Sequence, residues 1–258
     1  MTGLPDLESL VAAYLLPFFR IAAMLMVSPI FGARLVPARI RIILALALAA
    51  VISPLIPTPT AMTAFDQQSV FMLVQEVMIG IAMGFMVQMV FDAIIIGSQT
   101  IAMGMGLGFA MLVDPQRGVN VPILSQFFII MTTMMFLALN GHLILIQVLV
   151  ASFTTLPSGV AGFGADGLWT VVSWGSQMFA GAVLVALPAA IALLVVNFAY
   201  GVISRAAPTL NLFAVGFPAS ILLGFLILQA SFQTTLVSLE NLLEGVFSTL
   251  GTLTGASP

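Results

Sequence analysis

The sequence predicts an all-helical fold that sits in or against a membrane, and three observations lead there. Of the 258 residues, 61% are hydrophobic and 6% charged, whereas a water-soluble globule carries about 25% charged residues. Apolar stretches long enough to span a bilayer, which takes about 20 residues of helix, recur from one end to the other. The six basic residues, all arginine, fall mostly in alternate connections between those stretches, as expected where basic residues favour the cytoplasmic side.

The stretches lie near 10–33, 38–56, 69–97, 123–153, 169–203 and 214–239, and six spans are the simplest count. Arg34, Arg39 and Arg41 cluster at the junction of the first two, Arg117 lies between the third and fourth, and Arg205 between the last two. The other connections carry Asp66 and Asp166, and the ends of the chain carry Asp6, Glu8, Glu240 and Glu244. This pattern predicts both termini on the outer side, with Arg20 the one basic residue deep inside a stretch. The first ten residues have no basic group before the apolar run, so no cleaved secretory signal is expected.

Pro17, Pro29, Pro54, Pro188 and Pro218 fall within or at the ends of the apolar runs. An interior proline removes a helical hydrogen bond and bends the helix, so broken helices are expected. Broken backbone at membrane depth needs protein or a water-filled cavity around it, which points to partner subunits or an enclosed path.

The segment from Gly97 to Pro122 is the least regular. Gly104, Gly106 and Gly108 stand at alternate positions among Met103, Met105, Leu107, Phe109, Met111 and Leu112. Glycine permits backbone angles that other residues avoid, so a regular spanning helix is not expected here. Asp114-Pro115 and Asn120-Val121-Pro122 are turn formers flanking Arg117. A glycine-rich helix or re-entrant stretch packed on a neighbour is the structural alternative to a flexible apolar loop.

Several chemistries are excluded. There is no cysteine and one histidine, His142, so neither thiolate chemistry nor a zinc-ligand set is available. No lysine occurs, which rules out a Walker-type phosphate clamp. Six arginines cannot build the clustered patch that nucleic acid requires. No cofactor is implied. Arg20, Glu76 and Asp92 are charges within apolar runs, where a functional role is the default hypothesis. The simpler reading has Arg20 neutralising one carboxylate, since an unpaired buried charge is the expensive case. Glu76 and Asp92 stand sixteen residues apart and cannot share one site on a straight helix. Gly80-x-x-x-Gly84 and Gly104-x-x-x-Gly108 have the spacing that lets membrane helices approach closely. Met83, Met86 and Met89 read as packing residues.

Taken together, several runs resemble the FliR family, the R subunit of the flagellar type III export gate, and its virulence-secretion counterparts. The first comprises Arg20, Pro29-Ile30-Phe31-Gly32, Pro37, Arg39 and Arg41. The second comprises Gly97, Gln99, Gly106, Phe109 and Asp114-Pro115, followed by Asn140-Gly141-His142, where Leu143 replaces a second histidine that is common in the family. The third comprises Pro188, Asn197, Gly201, Ser204-Arg205, Pro208, Asn211, Phe213 and Phe217-Pro218, with Thr209 where glutamine is usual.

This resemblance implies a non-enzymatic pore component in the bacterial inner membrane at the flagellar basal body, with part held at periplasmic level. It implies assembly with FliP-type and FliQ-type subunits, neighbours of FlhB and FlhA type, membrane lipid, and unfolded export substrates. Residues up to about 170 would match a P-type subunit and the rest a Q-type helical hairpin. The glycine-rich loop would project into the channel as a plug formed by Met105, Gly106, Leu107, Gly108, Phe109 and Met111. Asp114, Pro115 and Pro122 would anchor it, while Pro29, Gly32, Pro37, Arg39, Arg205, Pro208 and Asn211 would shape structural turns. Two rival functions remain at this stage: a virulence-secretion gate subunit, and a proton-coupled small-molecule transporter using Arg20, Glu76 and Asp92. An intramembrane enzyme lacks a recognisable nucleophile and base.

Overall fold

A computed structural model describes residues 7–33, 36–56, 67–107, 123–158, 162–206 and 212–255. Among them the regular structure is entirely helical. The elements are α1 (Leu7–Val27), α2 (Ala38–Ile52), α3 (Gln67–Gly104), α4 (Ile123–Ala138), α5 (Gly141–Thr155), α6 (Ala165–Ser173), α7 (Gly175–Ala206) and α8 (Leu212–Thr254), with a 3-10 turn at Ser53–Leu55.

Four stretches are long and apolar enough to cross a membrane: Ala38–Leu55, Ser69–Gly104, Ala165–Ala206 and Gly216–Thr254. The pair α4 and α5 makes a fifth if it is counted as one broken span. Ala13–Val27 of α1 is a further, shorter apolar stretch.

The helical breaks differ from expectation. Helix α1 continues through Pro17, α7 through Pro188 and α8 through Pro218. A proline deletes only one hydrogen bond of the ladder, and in these long helices the flanking bonds carry the helix past it. The break between α4 and α5 falls instead at Leu139–Asn140, where Asn140 takes a left-handed conformation with φ 56°. Asparagine tolerates that region better than most residues. Gly141 then lets the Phe136 ring pack where a β-carbon would lie 2.6 Å from it.

The chain divides into two compact units. The first comprises Met1–Met89, Phe136–Gly175 and Leu243–Pro258; the second comprises Val90–Met135 and Ser176–Leu242.

In the first unit α1 packs against α2 and meets α3 almost backbone to backbone. A β-carbon on Gly80 would collide with the Arg20 carbonyl oxygen, and one on Gly84 would lie 2.7 Å from the Met24 carbonyl oxygen. The Gly-x-x-x-Gly spacing on α3 therefore acts as sequence reasoning expects, clearing a face for α1. Arg41 closes the α1–α2 connection: its Nε donates to the Val36 carbonyl at 3.1 Å and its Nη2 to the Ala33 and Val36 carbonyls at 3.0 and 2.8 Å.

In the second unit glycines perform the same service between α3 and α7. A β-carbon on Gly97 would lie 2.9 Å from the Ala182 carbonyl oxygen, and one on Gly104 would lie 3.2 Å from Leu193 Cδ1. These contacts explain why α3 stays helical through Gly97 as far as Gly104, against the expectation of irregular backbone there. Glycine costs helix stability by about 1 kcal/mol relative to alanine, and close packing at both positions offsets that cost.

Candidate functional site

The last turn of α3 leads directly into the glycine-rich segment. The final four carbonyls of a helix have no partner within it, and at membrane depth each orphan is costly. Here all four are satisfied. The Ile101 carbonyl accepts from the Met105 N–H at 2.9 Å, Ala102 from Leu107 at 3.0 Å and Met103 from Gly106 at 3.0 Å. The Gly104 carbonyl accepts from Asn197 Nδ2 on α7 at 3.3 Å. Gly106 has φ 82°, and its N–H and that of Leu107 reach back to Met103 and Ala102 in the pattern of a Schellman cap, which glycine favours because it has no β-carbon to clash.

Met105 lies inside this cap and is fully buried. Its side chain occupies the notch that Gly224 leaves on α8: a β-carbon on Gly224 would stand 2.5 Å from Met105 Cγ, 2.6 Å from Cε and 2.8 Å from Sδ. Met103, two residues earlier, is 70% exposed. The alternating methionines of the sequence therefore divide into one that faces outward and one locked inside. Where the chain re-enters helix at α4, Ser125 is buried and its hydroxyl pairs with that of Ser98 on α3 at 2.9 Å.

The structure thus places Met105, Gly106 and Leu107 of the predicted plug together at the end of α3. Gly108, Phe109, Met111, Asp114, Pro115 and Pro122 lie outside the described residues. Among the predicted turn residues, Pro29 and Gly32 sit in the turn after α1, Pro37 immediately precedes α2, and Arg39 is exposed on α2. Arg205 is in the last turn of α7, where its charge suits the helix dipole. Pro208 and Asn211 are outside the described residues.

The second polar centre lies in the first unit. Arg20 is completely buried, and Glu76 is 1% exposed. Arg20 Nε donates to Glu76 Oε2 at 2.7 Å and Nη2 to Oε1 at 3.0 Å, a bidentate fork. Nη1 donates to the Ser152 carbonyl and hydroxyl at 3.0 and 3.1 Å, and Nη2 to the Leu156 carbonyl at 2.9 Å. The Phe153 ring lies 4.3 Å from the guanidinium carbon. Arginine has five N–H donors, and these five bonds engage all of them. The pair joins α1, α3 and the carbonyl-rich end of α5, so the neutralising carboxylate is Glu76. Asp92 belongs to the second unit.

Sequence reasoning missed Gly224, Ser98 and Ser125, and it treated Asn197 only as part of a resemblance. No local signal marks Gly224, because its role exists only through a residue more than a hundred positions earlier. Among the described residues no group of three or more His, Asp or Glu could hold a metal ion.

These features define a class: an all-helical chain with several helices fit to cross a membrane, one of which ends in a fully capped turn before a glycine- and methionine-rich segment. The family model for bacterial export proteins, family 1, matches residues 11–246. The flagellar biosynthetic protein FliR of Escherichia coli is 33% identical over 245 residues, covering 95% of this chain and 94% of that protein. FliR of Aquifex aeolicus is 31% identical, covering 93% of each, and FliR of Bacillus subtilis is 29% identical, covering 93% of this chain and 94% of that protein. The chain belongs to the bacterial export proteins of family 1.

Proposed function

We propose that this chain is a subunit of the flagellar protein export gate in the bacterial inner membrane, forming part of the channel through which unfolded flagellar proteins pass. The observation that carries this reading is the full-length similarity to proteins named for flagellar biosynthesis, 33% over 95% of the chain in one case. The chain acts as a structural channel component, and export energy comes from other parts of the apparatus, since it has no lysine for a nucleotide clamp. Its partners are FliP-type and FliQ-type subunits in a helical assembly, with FlhB-type and FlhA-type neighbours, at the flagellar basal body and partly at periplasmic level. Residues up to about 170 correspond to a P-type subunit and the remainder to a Q-type hairpin.

Within the gate, the segment containing Leu107, Gly108, Phe109 and Met111 serves as the plug, with Met105 and Gly106 at its root and Asp114, Pro115 and Pro122 fixing its return. Apolar constrictions of this kind close a pore by excluding water. The capped end of α3 supports the reading, because it lets the chain leave a helix without orphaned carbonyls.

The transporter reading is disfavoured by one observation: every donor of Arg20 is engaged inside the protein, which leaves none to bind a substrate. The deciding experiment co-expresses the tagged chain with its P- and Q-type subunits, followed by native mass analysis and electron microscopy in detergent. A large ring-like particle holding a single copy of this chain is expected. Isolation of a stable monomer or homodimer indifferent to those subunits would overturn the proposal.

A further inference from the structure

We infer that Arg20 is the carboxyl-terminal cap of α5, held in position by Glu76, and that this cap seats the end of α8. The role is independent of the channel reading, and every residue in it belongs to the first unit.

Helix α5 ends inside the protein. Arg20 stands seven residues from either end of the apolar stretch Ala13–Val27 of α1, about 10 Å of helix each way. It is fully buried and bonds the Ser152 and Leu156 carbonyls, so α5 stops level with the middle of that stretch. The last carbonyls of a helix have no partner within it, and away from water each needs a donor from elsewhere. They also carry the negative end of the helix dipole, and α5 has no basic residue in its own last turn. Arg20 supplies both donors and positive charge from another helix.

Three of the five Arg20 bonds go to α5 and two to Glu76. The seam between α1 and α3 is already set by Gly80 and Gly84, whose missing β-carbons leave room for the α1 backbone. A buried ion pair often gives no net stability over apolar residues of similar size, so joining those two helices does not require one. At α5 the pair does what apolar side chains cannot, because it satisfies carbonyls. Glu76 neutralises the guanidinium and fixes its plane through the fork, which aims Nη1 and Nη2 at α5.

Thr155 extends this arrangement to α8. A β-carbon on Gly255 would lie 3.1 Å from Thr155 Cγ2. The left-handed residue that ends α8, Gly255 at φ 64°, therefore rests on the turn of α5 that Arg20 caps. Thr254 beside it is fully buried. Loosening the end of α5 removes the seat of α8.

Amide hydrogen exchange on the full-length chain in detergent, read by mass spectrometry, tests this. The double variant Arg20→Met with Glu76→Leu removes both charges, so no stranded ion complicates the result. The Leu156 N–H donates to the Ser152 carbonyl at 2.9 Å. Exchange there and at Thr254 is expected to quicken at least about tenfold, since a hydrogen bond to a charged group contributes that much or more. Met24 and Gly84, in the seam of α1 and α3, should keep their wild-type rates. Unchanged exchange at Leu156 overturns the cap, and unchanged exchange at Thr254 beside a loosened Leu156 overturns the seat. Equal loss of protection at all four positions would make the pair a general stabiliser of the unit and overturn both.

Glu76→Gln guards against misfolding of the double variant. Glutamine keeps an oxygen acceptor for Arg20 and leaves the donors to Ser152 and Leu156 in place. Protection at Leu156 should therefore stay closer to wild type than in the double variant. A loss in Glu76→Gln as large as in the double variant would show that the carboxylate holds α5, and would refute the proposal.

Discussion

Arg20 Nε stands 2.7 Å from Glu76 Oε2 with both side chains out of contact with solvent. Removing one partner of such a pair strands a buried charge and costs about 3–5 kcal/mol. Arg20→Ala and Glu76→Leu are each expected to destabilise the detergent-solubilised chain by about that much, measured as a fall in thermal unfolding temperature. Arg20→Lys should rescue little, because a lysine offers three donors from one point and cannot reproduce the fork to Glu76 together with the Ser152 and Leu156 bonds. The apolar double variant Arg20→Met with Glu76→Leu should recover part of the loss. A double variant no better than either single one would show that the α5 carbonyls, and not the carboxylate, are the main partners of Arg20.

Glycine substitutions separate close packing from open surface. Gly80→Ala drives a methyl group into the Arg20 carbonyl, where overpacking costs about 1–3 kcal/mol. Gly245 has nothing within 4 Å of its missing β-carbon, so Gly245→Ala should be neutral or stabilise α8 by up to about 1 kcal/mol. The check is unfolding of the isolated chain, in which the two variants should move in opposite directions or at least differ clearly.

The cap of α3 gives a third test. At φ 82° an L-residue with a β-carbon costs about 1–2 kcal/mol, so Gly106→Ala should loosen the last turn, and Gly106→Asn should do so less. Hydrogen exchange at the Gly106 and Leu107 amides reads this directly. Equal protection in wild type and Gly106→Ala would mean that the cap carries no local stability.

Ser98 and Ser125 make the fourth. Their mutual hydroxyl bond is buried, and a net contribution of about 0.5–1.5 kcal/mol is usual for such a bond. Ser125→Ala should cost that amount and Ser98→Ala a similar one, while the double variant should cost less than their sum. Strict additivity would indicate that each hydroxyl is satisfied independently, as the second bond of Ser98 to the Ile95 carbonyl at 2.9 Å allows.

Much of the fold was legible beforehand because it depends on local chemistry. Apolar composition set the helices, whereas the break at Asn140-Gly141 falls inside a stretch that the sequence reads as one span. Gly80 and Gly84 signalled close approach by their spacing alone. Pro17, Pro188 and Pro218 misled, because proline signals a missing hydrogen bond while the continuity of a long helix depends on everything else along it. The candidate site was half legible. Composition singled out the glycine-methionine segment, but the same alternation could not tell Met103, which faces outward, from Met105, which faces in.

What the sequence determined by itself is the all-helical, membrane-fit character of the chain, the regions where backbone can turn, and the absence of cysteine and lysine. These follow from side-chain type and from periods of a few residues. The tertiary structure decided which carboxylate neutralises Arg20, which glycine caps α3 and which ones seat neighbouring helices, and that Met105 is gripped by Gly224. Each of those outcomes joins positions brought together only when distant helices pack, and helix periodicity carries no record of which helices become neighbours.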